Sequence, residues 1–204
     1  MPYPSGCLEK PSKGVSKLVC FPKVSVVAVF NAMEAVSRAT IGILNQRLRG
    51  FELIIVDNGS TDHTPEVLDS LARRDCRITV LREPKRGIAS VLNRGIEAAQ
   101  GQYIARIDSD DESMTERLEK HVLFLDRNLD IGLVPSRGYL RRKSPIRSRL
   151  FCYVKWSNLV CITEGIDLNQ FMEAPVAHAI VMFRRRLVAS YGSHRQGGFP
   201  EDYE

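Results

Sequence analysis

Apolar positions along the chain fall into two alternating kinds of run. Lys23–Phe30, K-V-S-V-V-A-V-F, is β-branched and almost continuously apolar between Pro22 and Asn31, the pattern of a strand buried on both faces. Across Glu34–Leu48, Val36, Ala39, Ile43 and Leu44 recur at helical spacing. Phe51–Asp57, F-E-L-I-I-V-D, reads as a second buried strand stopped by the turn formers N-G-S. Thr64 is placed to cap a helix with Pro65 at its first position and Val67, Leu68 and Leu71 on one face. Arg77–Arg82 predicts a third strand, Ile88–Ala99 a helix after P-K-R-G, and Tyr103–Ile107 a fourth strand. Ser113 and Glu116 have capping-box spacing ahead of a helix carrying Leu118, Val122, Leu125 and Leu129.

This alternation implies an α/β fold with a mostly parallel sheet and helices on both faces. In such sheets ligands bind beyond the carboxyl ends of the strands. That rule gathers Asn31, Asp57 and Asp108 to Asp111 on one rim, although they are far apart in sequence. After Ile131 the periodicity weakens. Arg137, Arg141, Arg142, Lys143, Arg147 and Arg149 put six cations into 137–149, beside Pro145 and several serines, which predicts an irregular or mobile stretch. Phe151–Asn158, Leu168–Glu173 and Ala179–Arg184 are apolar enough to be ordered. The chain thus divides into a mobile extension at 1–22, a ligand-binding half at 23–132 and a second half at 133–204.

Composition narrows the function classes. With 204 residues, 44% hydrophobic and 26% charged, the chain is globular and long enough to need no disulfides. Five scattered cysteines without a C-x-x-C pair argue against a disulfide framework or zinc site and suit a reducing compartment. No window reaches the ~18 apolar residues of a transmembrane helix, and the leader M-P-Y-P-S-G-C-L lacks the apolar core of a secretory signal. A net charge of +5 is either unremarkable or suited to a nucleotide or an anionic lipid surface. Nucleic acid is disfavoured, because aromatics do not interleave with the cations.

The densest chemistry is I-D-S-D-D-E, in which Asp108, Asp110, Asp111 and Glu112 fill four of five consecutive positions. Like charges this close need a positive partner. A Mg²⁺ or Mn²⁺ ion sharing its shell with a diphosphate supplies one; a bland acidic turn is the competing reading. Asp57 either accepts hydrogen bonds from the edge of a nucleobase or launches an Asx turn. P-K-R-G either cradles phosphate at a helix N-terminus or is a solvated basic loop; it is not a Walker loop. His178 interrupts an apolar stretch, as a core histidine or a site residue. Glu201 and Asp202 are either a general base and its neighbour or an exposed acidic terminus. No G-x-S-x-G is present, so serine hydrolysis has no support.

Taken in order, these segments resemble the family 2 glycosyltransferases, inverting nucleotide-sugar enzymes of GT-A fold. V-S-V-V-A-V-F-N, F-E-L-I-I-V-D-N-G-S-T-D-H-T and K-R-G-I-A-S-V-L-N-R-G-I-E-A-A-Q-G-Q-Y-I-A-R-I-D-S-D-D follow that family's motifs closely over Val24 to Ile131. A-P-V-A-H-A-I-V-M-F-R-R and F-P-E-D-Y-E follow them more loosely from Ala174 to Glu204. The resemblance implies a UDP-sugar donor, a saccharide or lipid-linked saccharide acceptor, and Mg²⁺ or Mn²⁺ held by Asp110. It implies nucleotide contacts from Asn31, Glu34, Asp57, Arg86 and Asp108, with Arg86 near the diphosphate and Asp108 toward the nucleoside. Asp202, with Glu201 beside it, would deprotonate the acceptor hydroxyl. Ala28 stands where the family commonly has proline. A processive synthase is not expected, since no Q-x-x-R-W motif follows. The family usually continues beyond E-D-Y, so the resemblance also implies a truncated C-terminal part. The alternative is a nucleotide-binding fragment or pseudoenzyme of the same fold. A cytoplasmic protein is implied, or one peripheral on the inner membrane face, with run 137–149 meeting an acceptor's phosphate or anionic lipid.

Overall fold

The computed structural model describes residues 21–30, 33–85, 87–108, 111–140, 148–160 and 177–195, with backbone alone at 29–30, 33–37, 148–150 and 178. Leu168–Glu173 and most of the N-terminal extension lie outside these residues. The elements are β1 (Val24–Phe30), α1 (Met33–Leu44), β2 (Phe51–Asp57), α2 (Thr64–Arg74), β3 (Ile78–Arg82), α3 (Ile88–Ala98), β4 (Tyr103–Asp108) and α4 (Arg117–Arg127). They continue with β5 (Leu133–Pro135), α5 (Ser148–Leu159), a 3₁₀ turn at His178–Ile180, β6 (Val181–Arg184) and α6 (Arg186–Tyr191). The sheet runs β3-β2-β1-β4-β6-β5. Strands β1 to β4 are parallel neighbours, whereas β6 is antiparallel to both β4 and β5.

The continuous apolar strands follow from burial on both sides. On one face Val24, Val26, Ala28, Leu53, Ile55, Tyr103 and Ile107 pack with Ile43 of α1, Leu68 of α2, and Leu118 and Leu125 of α4. On the other, Val27, Ile54, Val56 and Ile104 meet Val91 and Leu92 of α3. Gly95 lets α3 lie close, because a Cβ there would collide with Val27 and reach Val56 at 3.4 Å.

Two caps differ from the sequence reading. Thr64 is the first residue of α2, after His63 at the cap position, and its backbone N–H donates to Asp62 Oδ1 at 2.9 Å, so Thr64 is not the cap. The Ser113–Glu116 box does not form, since Ser113 Oγ accepts instead from the Arg117 guanidinium at 3.0 Å. The cap of α4 comes from buried Gln46, whose Oε1 accepts from Leu118 N–H at 3.0 Å while its Nε2 donates to Met114 O at 2.7 Å. Gln46 itself lies past α1, which ends at Leu44 rather than Leu48. Leu129 lies past α4 and is 70% exposed. The basic run is irregular over 137–140, and its end already belongs to α5.

Two buried arginines seal the junction of β4 with the antiparallel edge. Arg117 Nη2 donates to the carbonyls of Arg106 at 2.8 Å, Val181 at 3.2 Å and Ala179 at 3.4 Å. Arg184 caps the end of α4 through Leu125 O at 2.6 Å and Asn128 O at 2.9 Å, and holds Ile131 O at 2.7 Å. Guanidinium groups suit this work because their fixed fork can satisfy several carbonyls that a buried turn would otherwise leave unpaired.

Candidate functional site

The site is assembled on the strands that flank β1. Asp57 ends β2 opposite Phe30, and Asp108 ends β4 opposite Val29. Parallel pairing on either side of one strand therefore brings to a single rim two carboxylates that are 51 positions apart in the chain. Asp57 is 3% exposed. Its Oδ1 accepts from Ser60 N–H at 3.0 Å and Ser60 Oγ–H at 2.6 Å, so one oxygen is committed to the turn after β2. Both sequence readings of Asp57 are compatible with this geometry, because the turn uses Oδ1 alone.

Asn58 organises the neighbouring loop. Its Nδ2 donates to Glu83 O at 3.1 Å and Lys85 O at 2.9 Å, and its Oδ1 accepts from Gly87 N–H at 3.3 Å. These bonds fasten the P-K-R-G loop to the end of β2. Gly87 then enters α3 with φ +129, a backbone angle that side chains disfavour. Beside the loop opens a polar cleft of about 340 Å³ lined by Glu83, Lys85, Ser90, Asn93, Arg94 and His194. Asn93 binds the main chain of His194 across this cleft, which ties the segment after α6 to α3.

Beneath the acidic cluster lie cations of the chain itself. Arg106 is 8% exposed, and its Nη2 stands 3.2 Å from Asp108 Oδ1. Buried Arg117 is attracted by Asp111, but burial dominates and lowers its pKa to about 10. Part of the compensation for the acids is therefore internal, a partner that their spacing alone did not reveal. The signal was an arginine inside the otherwise apolar strand Y-I-A-R-I-D. Asn58 and Asn93 were also missed, because their partners are distant backbone atoms.

Of the sequence-derived site residues, Asp57 and Asp108 share one rim of the sheet, at the ends of the two strands that flank β1. Glu34 lies in α1, where only its backbone is described. Asn31, Arg86, Asp110, Glu201 and Asp202 lie outside the described residues, as does the side chain of His178. Among the described residues no three His, Cys, Asp or Glu side chains converge as a metal-ligand set. A cation held by one or two carboxylates, with its shell completed by phosphate and water, needs no such set. Asp108, whose side chain is 39% exposed at the rim, is a carboxylate of the kind such a site uses.

The chain matches a known family model, "Glycosyl transferase family 2", over residues 25–192. The chain belongs to glycosyl transferase family 2. Among family 2 relatives it is 38% identical over 156 residues to the "Putative teichuronic acid biosynthesis glycosyltransferase TuaG" of Bacillus subtilis (strain 168), a match covering 76% of this chain and 54% of that one. It is 39% identical over 111 residues to glycosyltransferase GlyG of Streptococcus pneumoniae serotype 4, covering 52% and 37% respectively. The chain spans about half or less of the length of these relatives. The mannosyltransferase PcManGT from Pyrobaculum calidifontis, solved with GDP-Man and Mn²⁺, superposes with a TM-score of 0.64 at 22% identity, covering 96% of this chain and 52% of that chain. S. aureus TarS 1-349 in complex with UDP gives 0.63 at 18% identity, covering 88% and 51%. These likenesses establish the GT-A fold expected from the sequence. No helix among the described residues is long and apolar enough to cross a membrane.

Proposed function

We propose that this family 2 chain binds a UDP-sugar and serves an inverting transfer of one sugar to a saccharide or glycoconjugate acceptor, assisted by Mg²⁺ or Mn²⁺. The observation that carries the reading is that Asp57 and Asp108 end the two strands on either side of β1, at one rim of the sheet. The clasped P-K-R-G loop adds backbone N–H groups at the entrance to α3, a setting suited to phosphate. Structural neighbours solved with UDP, UDP-GlcNAc or GDP-Man and Mn²⁺ support a nucleotide-sugar donor.

In this reading Asp57 accepts from the imide edge of the base, and Asp108 accepts from the nucleoside. Asn31 and Glu34 add nucleotide contacts, Arg86 steadies the diphosphate, and Asp110 holds the cation. When bound, the metal neutralises charge on the departing diphosphate. Asp202, beside Glu201, takes the proton of the acceptor hydroxyl as its oxygen forms a bond to the anomeric carbon. The bond from that carbon to the diphosphate oxygen breaks on the opposite face, and UDP leaves with the electron pair. In-line displacement of this kind inverts the anomeric centre. The cations of 137–149 extend the same reading to an acceptor's phosphate or an anionic membrane; vesicle sedimentation with anionic and with neutral lipid separates these.

The test is calorimetry of the chain with UDP and with GDP, in Mn²⁺, Mg²⁺ and EDTA, followed by an assay of UDP release from UDP-sugars. Metal-dependent UDP binding at micromolar concentrations is the expected result. Binding without release, in this chain and in a C-terminally extended one, would favour a nucleotide-binding pseudoenzyme. Absence of binding to either nucleotide would end the proposal.

A further inference from the structure

Arg106 occupies an uncommon position for an arginine. It lies in the interior of β4, registered against Val27 of the central strand, and is 8% exposed. Strand alternation puts Ile104, Arg106 and Asp108 on one face, the face that Ile104 shares with α3. Among the described residues, neither Nε nor Nη1 of Arg106 has a hydrogen-bond partner, and Asp108 Oδ1 also lacks one. The Arg106–Asp108 contact at 3.2 Å is thus an ion pair of charge proximity, without the alignment of a hydrogen bond. The two partners are unequally exposed, the Arg106 side chain at 10% and that of Asp108 at 39%. The cation sits behind, and the carboxylate opens outward.

A buried guanidinium with idle donors is costly, and replacing a buried ion pair as a whole by apolar groups of similar volume is often neutral or stabilising. Stability therefore gives little reason for Arg106. Its place does: it is the one described cation within ion-pair distance of Asp108. We infer that Arg106 is the positioning residue for Asp108, fixing which oxygen of that carboxylate faces the ligand, so that Asp108 contributes to nucleoside binding whether or not a divalent cation is present. This rests on the reading that Asp108 faces the nucleoside. It divides the acidic cluster into a part served by the protein's own charge, at Asp108, and a part served by the metal, at Asp110.

The experiment is calorimetric titration of the chain with UDP, in Mn²⁺ and in EDTA, for the wild type, Arg106→Met, Arg106→Lys, Asp108→Asn and the double variant Arg106→Met/Asp108→Asn, with melting temperatures alongside. Arg106→Gln takes the place of the methionine variant if that one does not fold. Arg106→Met should weaken UDP about tenfold in both media, so that the ratio of affinities with and without Mn²⁺ is unchanged. Arg106→Lys should recover most of the loss. On the Asp108→Asn background the same change should cost less than about twofold, because the group it positions is already altered. Wild-type affinity in Arg106→Met, a tenfold loss that persists on the Asp108→Asn background, or a loss confined to Mn²⁺ would each overturn the inference. A wild-type chain that binds neither UDP nor GDP would instead overturn the nucleotide reading on which it stands.

Discussion

The carboxamide of Asn93 and the main chain of His194 bond to each other in both directions, Nδ2 donating to the carbonyl at 2.7 Å and Oδ1 accepting from the N–H at 2.9 Å. One residue of α3 thereby stands in for a strand partner of the segment after α6. Asn93→Ala should cost about 1–3 kcal/mol by leaving both backbone groups unpaired. Asn93→Asp should be no better, since it places a carboxylate oxygen against the His194 carbonyl. Loss of hydrogen-exchange protection at the His194 amide, with β1 unaffected, is the expected local signature. Unchanged protection would show that the pair is dispensable.

Removing Arg117 is predicted to be among the most damaging single changes. Arg117→Met would leave the carbonyls of Arg106, Ala179 and Val181 short of a donor in a buried junction, at a cost of about 3–5 kcal/mol. Lysine is not an adequate substitute, because a single ammonium cannot reproduce the guanidinium fork. Urea denaturation of both variants measures this; a loss under 1 kcal/mol in either would show that water replaces the contacts.

His121 should give the protein an acid limb above the range where carboxylates act. Burial, reinforced by the nearby Arg117 charge, lowers its pKa to about 4, while Ser136 Oγ sits 3.0 Å from its Nε2. Because the unfolded histidine takes up a proton near pH 6.5 and the folded one does not, stability falls as pH drops from about 6.5 to about 4. The loss is on the order of 3 kcal/mol. Asp75 and Asp126, both lowered chiefly by hydrogen bonds from Arg77 and Tyr103 respectively, lose their contribution only at lower pH. His121→Gln should flatten the curve between pH 6.5 and 4 in denaturant titrations, and an unaltered slope would assign that limb elsewhere.

Gly95→Ala pits helix propensity against packing. Alanine gains roughly 1 kcal/mol in a helix interior, but here its Cβ would press into Val27 and touch Val56 at 3.4 Å. Overpacking of this kind costs about 1–3 kcal/mol, and Val27 is 1% exposed. Net destabilisation of about 1–2 kcal/mol is expected, and a higher melting temperature in the variant would contradict it.

The proposed division between metal and base predicts different phenotypes at two positions. Asp110→Asn should abolish the Mn²⁺-dependent part of UDP affinity, read by calorimetry. In a C-terminally extended chain, Asp202→Asn should keep that affinity within about twofold and lower sugar transfer by 10²-fold or more. An active Asp202 variant would move the base elsewhere.

The strands and their direction were readable because parallel strands covered on both faces must be almost uninterrupted in apolar residues, as Phe51–Asp57 is. The rim followed from topology, which is why Asp57 and Asp108 group from the sequence alone. The caps were not readable. Gln46 satisfies Leu118 from 72 residues away, and Ser113 gives up its capping role to Arg117, an exchange that local spacing cannot encode. Arg106 was visible as a charge in an apolar strand, but its partner only emerged once β4 had a face.

The position of β1 also has a consequence for synthesis. Its two neighbours are β2, complete at Asp57, and β4, complete at Asp108. Until β4 has been translated, one long side of Val24–Phe30 is an open, apolar strand edge, the kind that recruits strands from other chains. Recombinant pieces ending before Asp108 should therefore aggregate, whereas pieces that include β4 bury that edge. The late arrival of β4 at its place beside β1, which sets Asp108 on the rim, is also what delays protection of the central strand on the ribosome.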